Sequence, residues 1–157
     1  MIHERHRFGQ YTGQWTLGLP DDELLPPTAV LTDLIARAHE VRRRAHVPVS
    51  GFRVGSALLA GSGRIFSGCN VEASNGTSIC AERAALVAAV AEGENAFSAV
   101  ASVADTPAPL APCGQCRQHL SDFAPSMVVV MLTTRSSQYE LARMSDLFPR
   151  PNFKGRQ

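Results

Sequence analysis

Three cysteines and one glutamate, held in two short segments, constrain this chain more than any other feature of its sequence. The first segment is Cys80-Ala81-Glu82, and the second is Pro112-Cys113-Gly114-Gln115-Cys116. Three thiolates fill three of the four tetrahedral positions around Zn²⁺ and leave the fourth open for water. A glutamate two residues beyond a ligand, at the start of a helix, reaches that water without binding the metal. The sequence therefore predicts one zinc ion per chain, bound by Cys80, Cys113 and Cys116.

Glu82 is the residue that we expect to carry the chemistry. A carboxylate beside an activated water takes up its proton and returns it to a ring nitrogen and to a departing amine. Attack on an amidine-like carbon, followed by loss of ammonia, is a hydrolytic deamination. Because three thiolates give a divalent ion a surplus of negative charge, a cation is needed nearby. We expect Arg83 and Arg117 to supply it as donors to the sulfurs.

Other interpretations of the cysteines stay open at this point. Cys69 would be the fourth ligand of a closed structural site, but it forms no C-x-x-C pair with Cys80, so we expect a small buried strand residue. Cys113 and Cys116 have the spacing of a redox pair, an interpretation that leaves Cys80 and Glu82 unexplained. A non-catalytic, zinc-stabilised binding module is a further alternative. Glu82 argues against it, because a purely structural site has no need of a carboxylate.

Composition and charge limit the class of protein. At 157 residues, with 45% hydrophobic and 18% charged residues, the chain is typical of one globular domain. Its formal net charge of +1 does not favour a nucleic acid or an acidic membrane as partner, which argues against an RNA- or DNA-editing enzyme. No apolar run approaches the roughly 20 residues that span a bilayer, and residues 1–7 lack the apolar core of a signal peptide. We therefore expect a cytoplasmic protein with reduced thiols.

Hydrophobic periodicity predicts alternating helices and strands. Residues 1–27 form an N-terminal arm that we expect to be partly ordered, with Phe8, Tyr11 and Trp15 packing on a neighbouring surface. Residues 28–157 form the zinc-binding domain. Within it, helices are predicted over 28–45, 80–92 and 113–123, strands over 52–60, 64–70, 97–104 and 127–133, a strand or helical turn over 139–144, and a helical turn over 144–148. This order predicts an α/β layered fold with a mixed sheet.

The motifs resemble those of the small zinc-dependent cytidine deaminases. The segments 48–59 and 63–72 are similar to the first two signatures of that family, and 79–85 and 112–118 are similar to its metal motifs. Leu147-Phe148-Pro149 is similar to its C-terminal end. The resemblance implies a three-layer α/β/α fold with a mixed five-stranded sheet. It also implies a homotetramer with composite active sites.

The resemblance further implies which residues hold a small-molecule nucleoside. Asn70 and Glu72 would bind the ribose hydroxyls, Phe52 would pack on the nucleoside, and the main chain of Ala81 would contact the base. Asn70 and Glu72 lie two residues apart on a predicted strand, so both side chains point to the same face. We therefore expect hydrolytic deamination of cytidine or 2′-deoxycytidine to the uridine form, with Glu82 as the catalytic residue.

One departure from the family pattern leaves a second substrate class open. The family usually has a Tyr in the loop after its Asn-x-Glu motif, whereas residues 73–78 contain none. In the family, this loop reaches the 5′ end of the ribose in a neighbouring subunit. The alternative substrate is therefore a modified aminopyrimidine nucleoside, either blasticidin S-like or a cytidine analogue with an altered sugar.

Overall fold

A computed structural model describes residues 7–8, 11–15 and 25–150 of the chain. The helices in these ranges are α1 (Thr28–Arg42), α2 (Ala81–Ala91), α3 (Gly114–Phe123) and α4 (Met144–Leu147). The strands are β1 (Arg7–Phe8), β2 (Tyr11–Trp15), β3 (Val54–Ala60), β4 (Ile65–Cys69), β5 (Val71–Glu72), β6 (Ser78–Ile79), β7 (Phe97–Ala104), β8 (Val128–Thr133) and β9 (Gln138–Arg143). Each predicted helix and strand therefore has a counterpart, and the segment predicted over 139–144 forms a strand up to Arg143, with Met144 beginning α4.

One mixed sheet runs through the molecule, with its described strands in the order β1-β2-β9-β8-β7-β3-β4. Strand β7 pairs in parallel with β8, whereas β3 pairs antiparallel with both β4 and β7. Strand β9 pairs antiparallel with β8. These five strands confirm the predicted mixed five-stranded sheet. Beyond β9, β2 pairs in parallel and β1 then pairs antiparallel with β2, so two strands of the N-terminal arm extend the sheet.

Apolar side chains on both faces of the sheet create the three layers. On one face, α1 packs through Leu31, Leu34, Ile35 and Ala38 against alternate residues of the central strands. On the other face, the buried side chains of α2 and α3 pack against the intervening residues of the same strands. Strands β3, β7 and β8 are buried on both sides, and for β8 the continuous apolar run in the sequence predicts this. The α/β/α architecture is therefore confirmed.

The connection after α1 differs from the prediction. The helix ends at Arg42 and not at Ala45, because the chain turns to pair with the segment around β5. The His46 N–H donates to the Asn70 carbonyl oxygen at 3.1 Å, and the Glu72 N–H donates to the His46 carbonyl oxygen at 2.8 Å. Strands β5 and β6 pair as a small hairpin across residues predicted to form a loop. The first difference arises from hydrogen bonds between segments more than 20 residues apart, which local periodicity does not record.

The N-terminal arm is described only through its strands. The side chains of Phe8, Tyr11 and Trp15, which we expect to pack on a neighbouring surface, lie outside the described part of the structure. The division of the chain at residue 28 stays a prediction. Within the described ranges, no helix combines the length and the apolar character needed to cross a bilayer.

Candidate active site

The three predicted ligands meet in one cluster. The Cys80 and Cys113 sulfurs are 3.7 Å apart, the Cys113 and Cys116 sulfurs are 3.5 Å apart, and all three sulfurs lie within 4.8 Å of one another. A tetrahedral zinc site with Zn–S bonds of about 2.3 Å requires sulfurs roughly 3.8 Å apart. Cys69 lies outside the cluster and has a free thiol. The spacing of the sulfurs therefore fits a three-cysteine zinc site.

Two helix starts bring the cysteines together. Cys80 is the N-cap residue of α2 and Cys113 is the N-cap residue of α3, each with an extended backbone conformation. Neither side chain makes a capping hydrogen bond, so both sulfurs stay available as ligands. Cys116 lies in the first turn of α3 and is fully buried. The positive end of each helix dipole favours the thiolate form of the sulfurs beside it.

Cys80 and Cys116 shift each other's pKa values in opposite directions. The pKa of Cys80 is lowered to about 5, first because the Cys116 thiol donates a hydrogen bond to its sulfur and also because Arg83 lies beside it. The pKa of Cys116 is raised, first by that same hydrogen bond and then by burial. One thiolate therefore forms at the expense of the other. A divalent cation removes this competition because it stabilises all three thiolates at once, so the donor set fits zinc.

Glu82 lies in the first turn of α2 with 4% of its surface exposed. Its Oε2 atom is 3.5 Å from the Cys116 sulfur. The pKa of Glu82 is raised, mainly because burial penalises the charged carboxylate, and the negative charge of Cys80 adds to this. Hydrogen bonds from its own main-chain N–H and from the Ser102 hydroxyl act in the opposite direction. A buried carboxylate beside a metal-ligand cluster has the properties of a proton carrier.

The two arginines make different contacts. Arg83 Nη2 lies 3.5 Å from the Cys80 sulfur and also 3.5 Å from the Ser78 carbonyl oxygen. Arg117 instead donates from Nε to the Pro112 carbonyl oxygen at 2.8 Å, and from Nη1 to the Leu147 carbonyl oxygen at 3.0 Å. Arg83 is therefore the arginine beside a sulfur, whereas Arg117 ties the segment before Cys113 to the end of α4.

A cavity of about 370 Å³ opens beside the cluster. This volume lies within the roughly 300–1,000 Å³ typical of sites for small molecules. The residues expected to hold a nucleoside all line it, together with Glu82 and two of the ligands. The full lining is Ser50, Phe52, Val54, Asn70, Glu72, Ser78, Cys80, Ala81, Glu82, Leu110, Ala111 and Cys113. The chain thus brings Glu82, two of the predicted metal ligands and the polar residues to one cavity.

Asn70 and Glu72 are fixed by the main chain around them. The Asn70 Oδ1 atom accepts from the Val54 N–H at 2.8 Å, and its Nδ2 atom donates to the Phe52 carbonyl oxygen at 2.8 Å. The Glu72 Oε2 atom accepts from the main-chain N–H groups of Val49 and Ser50, at 2.9 and 3.0 Å. The Ser50 hydroxyl donates to Oε1, which is the main reason why the pKa of Glu72 is lowered. Both side chains are therefore held in place before any ligand binds.

Sequence reasoning missed several residues that line the cavity. These are Ser50, Val54, Ser78, Leu110 and Ala111. Ser50 is separated by 22 positions from its partner Glu72, so no local pattern joins the two. The one signal available for Ser50 is its place inside the segment 48–59, which resembles a family signature.

Comparisons with known proteins agree with this site. The family model described as "Cytidine and deoxycytidylate deaminase zinc-binding region" matches residues 29–132, a range that includes the three cysteines and Glu82. A cytidine deaminase of Sporosarcina psychrophila is 44% identical over 117 residues, which are 74% of this chain and 86% of that relative. A crystal structure of cytidine deaminase from Burkholderia pseudomallei has a TM-score of 0.73 and 38% identity, covering 76% of this chain and 97% of that one. A blasticidin-S deaminase of Bacillus cereus is 32% identical over 87 residues, which are 50% of this chain and 62% of that relative.

Proposed function

This chain belongs to the cytidine deaminase family, and we propose that it hydrolyses cytidine and 2′-deoxycytidine to the uridine forms, releasing ammonia. The observation that carries the proposal is the placement of Glu82. Its buried carboxylate lies 3.5 Å from the Cys116 sulfur and lines the same cavity as Asn70 and Glu72. A structural metal site has no use for a buried carboxylate at this position, since burying a charge is costly.

Cys80, Cys113 and Cys116 would hold the zinc ion, one per chain, with Arg83 placed to offset the charge of Cys80. The bound ion would act as a Lewis acid that lowers the pKa of a water molecule. Glu82 accepts the proton of the attacking water and delivers it to the ring nitrogen. It then takes the remaining proton from the hydroxyl group added to the ring carbon, which becomes the carbonyl group of the product, and delivers this proton to the departing amine. One water is consumed and one ammonia is released, and Glu82 ends in the state in which it began.

Asn70 and Glu72 would bind the sugar through the donor and acceptor positions that their hydrogen bonds within the protein leave unused. An ionised carboxylate offers about four acceptor positions, and an amide offers two donors and two acceptor positions. The Glu72 carboxylate uses three of its positions on Val49 and Ser50, and Asn70 uses one donor and one acceptor on the main chain. The remaining acceptor position of Glu72 and the remaining donor and acceptor of Asn70 support hydrogen bonds to ribose hydroxyls. Phe52, half exposed at the cavity, would pack on the nucleoside, and the Ala81 main chain would contact the base.

A second candidate is the deamination of a modified aminopyrimidine nucleoside. The likeness to a blasticidin-S deaminase supports it, although this chain covers 62% of that relative. A further support is that residues 73–79, which connect Glu72 to the metal site, are all exposed. The pocket would then accept a larger group than a plain ribose.

Exposed apolar side chains support the expected homotetramer. Val87 and Val90 lie on the outer face of α2 with 66% and 44% of their surface exposed. Val49, Val71 and Ile79 are also exposed, close to the cavity residues Ser50, Glu72 and Ser78 in the chain. Association of four chains would remove these side chains from water. Sedimentation of the zinc-loaded protein at the mass of four chains would support this assembly, and a monomer would contradict it.

The chemistry of the ligands supports a cytoplasmic location, because three thiolates require a compartment in which thiols stay reduced. The proposed conversion of cytidine to uridine would serve the recycling of pyrimidine nucleosides. No feature of the site calls for a nucleic acid polymer or a membrane as partner.

The experiment that tests the proposed function is a nucleoside panel. Zinc-loaded protein is incubated with cytidine, 2′-deoxycytidine, blasticidin S and a cytosine-containing single-stranded oligonucleotide, and loss of the aminopyrimidine absorbance is followed together with ammonia release. Glu82→Gln, which keeps the shape of the side chain, is the matched control and should lose at least ~10²-fold in kcat. Turnover of cytidine is the expected result. Turnover of blasticidin S alone would favour the second candidate, and no turnover of any nucleoside would refute the proposal.

A further inference from the structure

The chain passes from α1 to β3 through a turn beside the cavity. The Gly51 N–H donates to the Val47 carbonyl oxygen at 3.0 Å, and Gly51 adopts a φ of 69°. Ser50 in this turn and Phe52 just after it both line the cavity. The main-chain groups of such a turn are not paired in a helix or a sheet, so other groups have to bind them and fix the position of the turn.

The hydroxyl of Ser50 joins two residues that we propose to contact the nucleoside. It donates to Glu72 Oε1, and it accepts from the Phe52 N–H at 3.0 Å. The other carboxylate oxygen, Glu72 Oε2, accepts from the N–H groups of Val49 and Ser50 at 2.9 and 3.0 Å. The carboxylate and the turn therefore hold each other through three hydrogen bonds, and Ser50 supplies two of them. Bonds of this kind are strong because the acceptor is charged.

The main chain of Phe52 is held from both sides. Its N–H is bound by the Ser50 hydroxyl, and its carbonyl oxygen accepts from Asn70 Nδ2 at 2.8 Å. The two polar residues proposed to bind the sugar are thus connected through one residue of main chain, with Ser50 as the link to Glu72. Loss of the Ser50 hydroxyl would break this link. Asn70 would keep its bonds to the main chain of Phe52 and Val54.

We propose that Ser50 is a positioning residue that makes the site selective for nucleosides with hydroxyls on the sugar ring, because its hydroxyl fixes the direction in which Glu72 presents an acceptor to the sugar. The inference rests on the proposed deaminase function. Without the Ser50 hydroxyl, Oε1 loses this donor while Oε2 keeps its two main-chain donors. The carboxylate then stays in the cavity but loses its fixed orientation. Only a sugar that has a ring hydroxyl to donate is affected by that change.

Ser62→Ala is a matched control for Ser50→Ala. In the turn between β3 and β4, the Ser62 hydroxyl donates to Glu94 Oε1 at 2.6 Å and accepts from the Arg64 N–H at 3.4 Å. Ser62 therefore makes the same two contacts as Ser50, to a glutamate and to the N–H two residues ahead, at a place that does not line the cavity. Both serines are exposed. A difference between the two variants thus reports the position of Ser50 beside the cavity.

The test compares kcat and KM for cytidine in the zinc-loaded proteins, together with the inhibition constant of 2′,3′-dideoxycytidine as a competing ligand. Because two donors to Glu72 remain, we expect Ser50→Ala to raise KM for cytidine by roughly 5- to 20-fold, with kcat changed less than about threefold. The inhibition constant should change less than about twofold, since the sugar ring of this competitor carries no hydroxyl for Glu72 to accept from. Ser62→Ala should match the wild type, and zinc per chain should be equal in all three proteins.

A double-variant cycle with Glu72→Ala tests whether Ser50 acts through the carboxylate. The cycle uses dissociation constants of uridine, the proposed product, so that it does not depend on turnover. In the Glu72→Ala protein, Ser50→Ala should weaken uridine binding by less than about twofold, because residues that act through one another are not additive.

Three results would overturn the inference: an unchanged KM in Ser50→Ala, equal weakening of both cytosine nucleosides, or an effect that adds in full to that of Glu72→Ala. A rise in KM of the same size in Ser62→Ala would overturn it as well. A wild-type protein that deaminates no nucleoside refutes the proposed function, whereas an active wild type whose KM is matched by Ser50→Ala refutes this inference alone.

Discussion

Gly68 on β4 lies directly against Ala81, the first residue of α2. A β-carbon on Gly68 would come within 2.4 Å of the Ala81 carbonyl oxygen, a main-chain atom that moves only if the helix moves. The absence of a side chain at this position therefore sets how closely the start of α2 approaches the sheet. Cys80 and Glu82 flank Ala81, so the same contact sets how far the proposed zinc ligand and the proposed proton carrier lie from β3 and β7.

Gly68→Ala should damage the site more than the fold. Overpacking of this kind costs typically 1–3 kcal/mol of stability, and here the displaced helix start carries Cys80 and Glu82. Gly55→Ala is the matched comparison, because its β-carbon would meet the Ala38 carbonyl oxygen of α1, on the opposite face of the sheet. We expect both variants to unfold at lower temperature, but only Gly68→Ala to lose zinc affinity and kcat. Equal zinc binding by the two variants would contradict this.

Removal of single cysteines should separate the ligands from the spare thiol. Cys113→Ser should lose stoichiometric zinc, because a serine hydroxyl is a poor replacement for a thiolate ligand. Cys69→Ser should keep one zinc ion per chain, since Cys69 lies outside the sulfur cluster. Metal analysis of the purified variants is the measurement. Loss of zinc from Cys69→Ser would mean a closed four-cysteine site, which has no room for a reaction.

The sequence predicted the metal cluster and the layered fold because both depend on local patterns. The C-x-x-C spacing puts Cys113 and Cys116 on one turn of a helix start, and a continuous apolar run marks β8. Local sequence patterns did not predict which atoms Arg117 contacts. Its position after Cys116 suggested a donor to sulfur, but the side chain reaches the carbonyl oxygens of Pro112 and Leu147.

Residues whose hydrogen-bond partners lie far away in the chain carried no signal either. Ser102 stands in an apolar strand, and its neighbour Ser56 is 46 positions away. The pairing of β2 with β9 joins the arm to a strand more than a hundred residues later. Such pairings depend on which strands the whole chain places side by side, and no single segment records that order.

Tyr139 should make the fold sensitive to alkaline pH. Burial raises the pKa of Tyr139 to about 12, from an ordinary value of about 10. Below pH 10 the phenol is neutral in both the folded and the unfolded chain. Between pH 10 and 12 only the unfolded chain loses the proton, so the free energy of unfolding should fall by on the order of 2–3 kcal/mol. Denaturant unfolding at pH 8, 10 and 12 measures this, and Tyr139→Phe should lack that part of the decrease. An equal decrease in Tyr139→Phe would assign the effect to other groups.

The turn between β5 and β6 leads to the last prediction. The Ala73 N–H donates to the Thr77 carbonyl oxygen at 2.9 Å, and Asn75 Oδ1 accepts from the Thr77 N–H at 3.1 Å and from its hydroxyl at 2.8 Å. Gly76 adopts a φ of 86°, a conformation that disfavours any larger side chain. The turn is thus closed by its own hydrogen bonds and carries no bulky side chain towards the cavity.

This turn lacks the Tyr that the family usually has in the loop. If the turn reaches the sugar site of a neighbouring subunit, no bulky side chain covers the 5′ side of the ribose there. Relative to family members with the Tyr, the turn also lacks one hydroxyl that could hydrogen-bond the sugar. Loss of one neutral hydrogen bond costs roughly 0.5–1.5 kcal/mol, so binding of plain cytidine should be weaker by only about three- to tenfold. The steric consequence is larger, because groups at the 5′ position no longer meet a side chain. We therefore expect kcat/KM for a 5′-acylated cytidine to lie within about a thousandfold of the value for cytidine, which is a difference of roughly 4 kcal/mol in transition-state binding. Parallel measurements on the two nucleosides decide the point, with 2′-deoxycytidine as the control for a change elsewhere on the sugar. A stronger preference for cytidine would show that another part of the assembly covers the 5′ side of the ribose. Removal of the arm that contains Trp15 is the first test of that explanation.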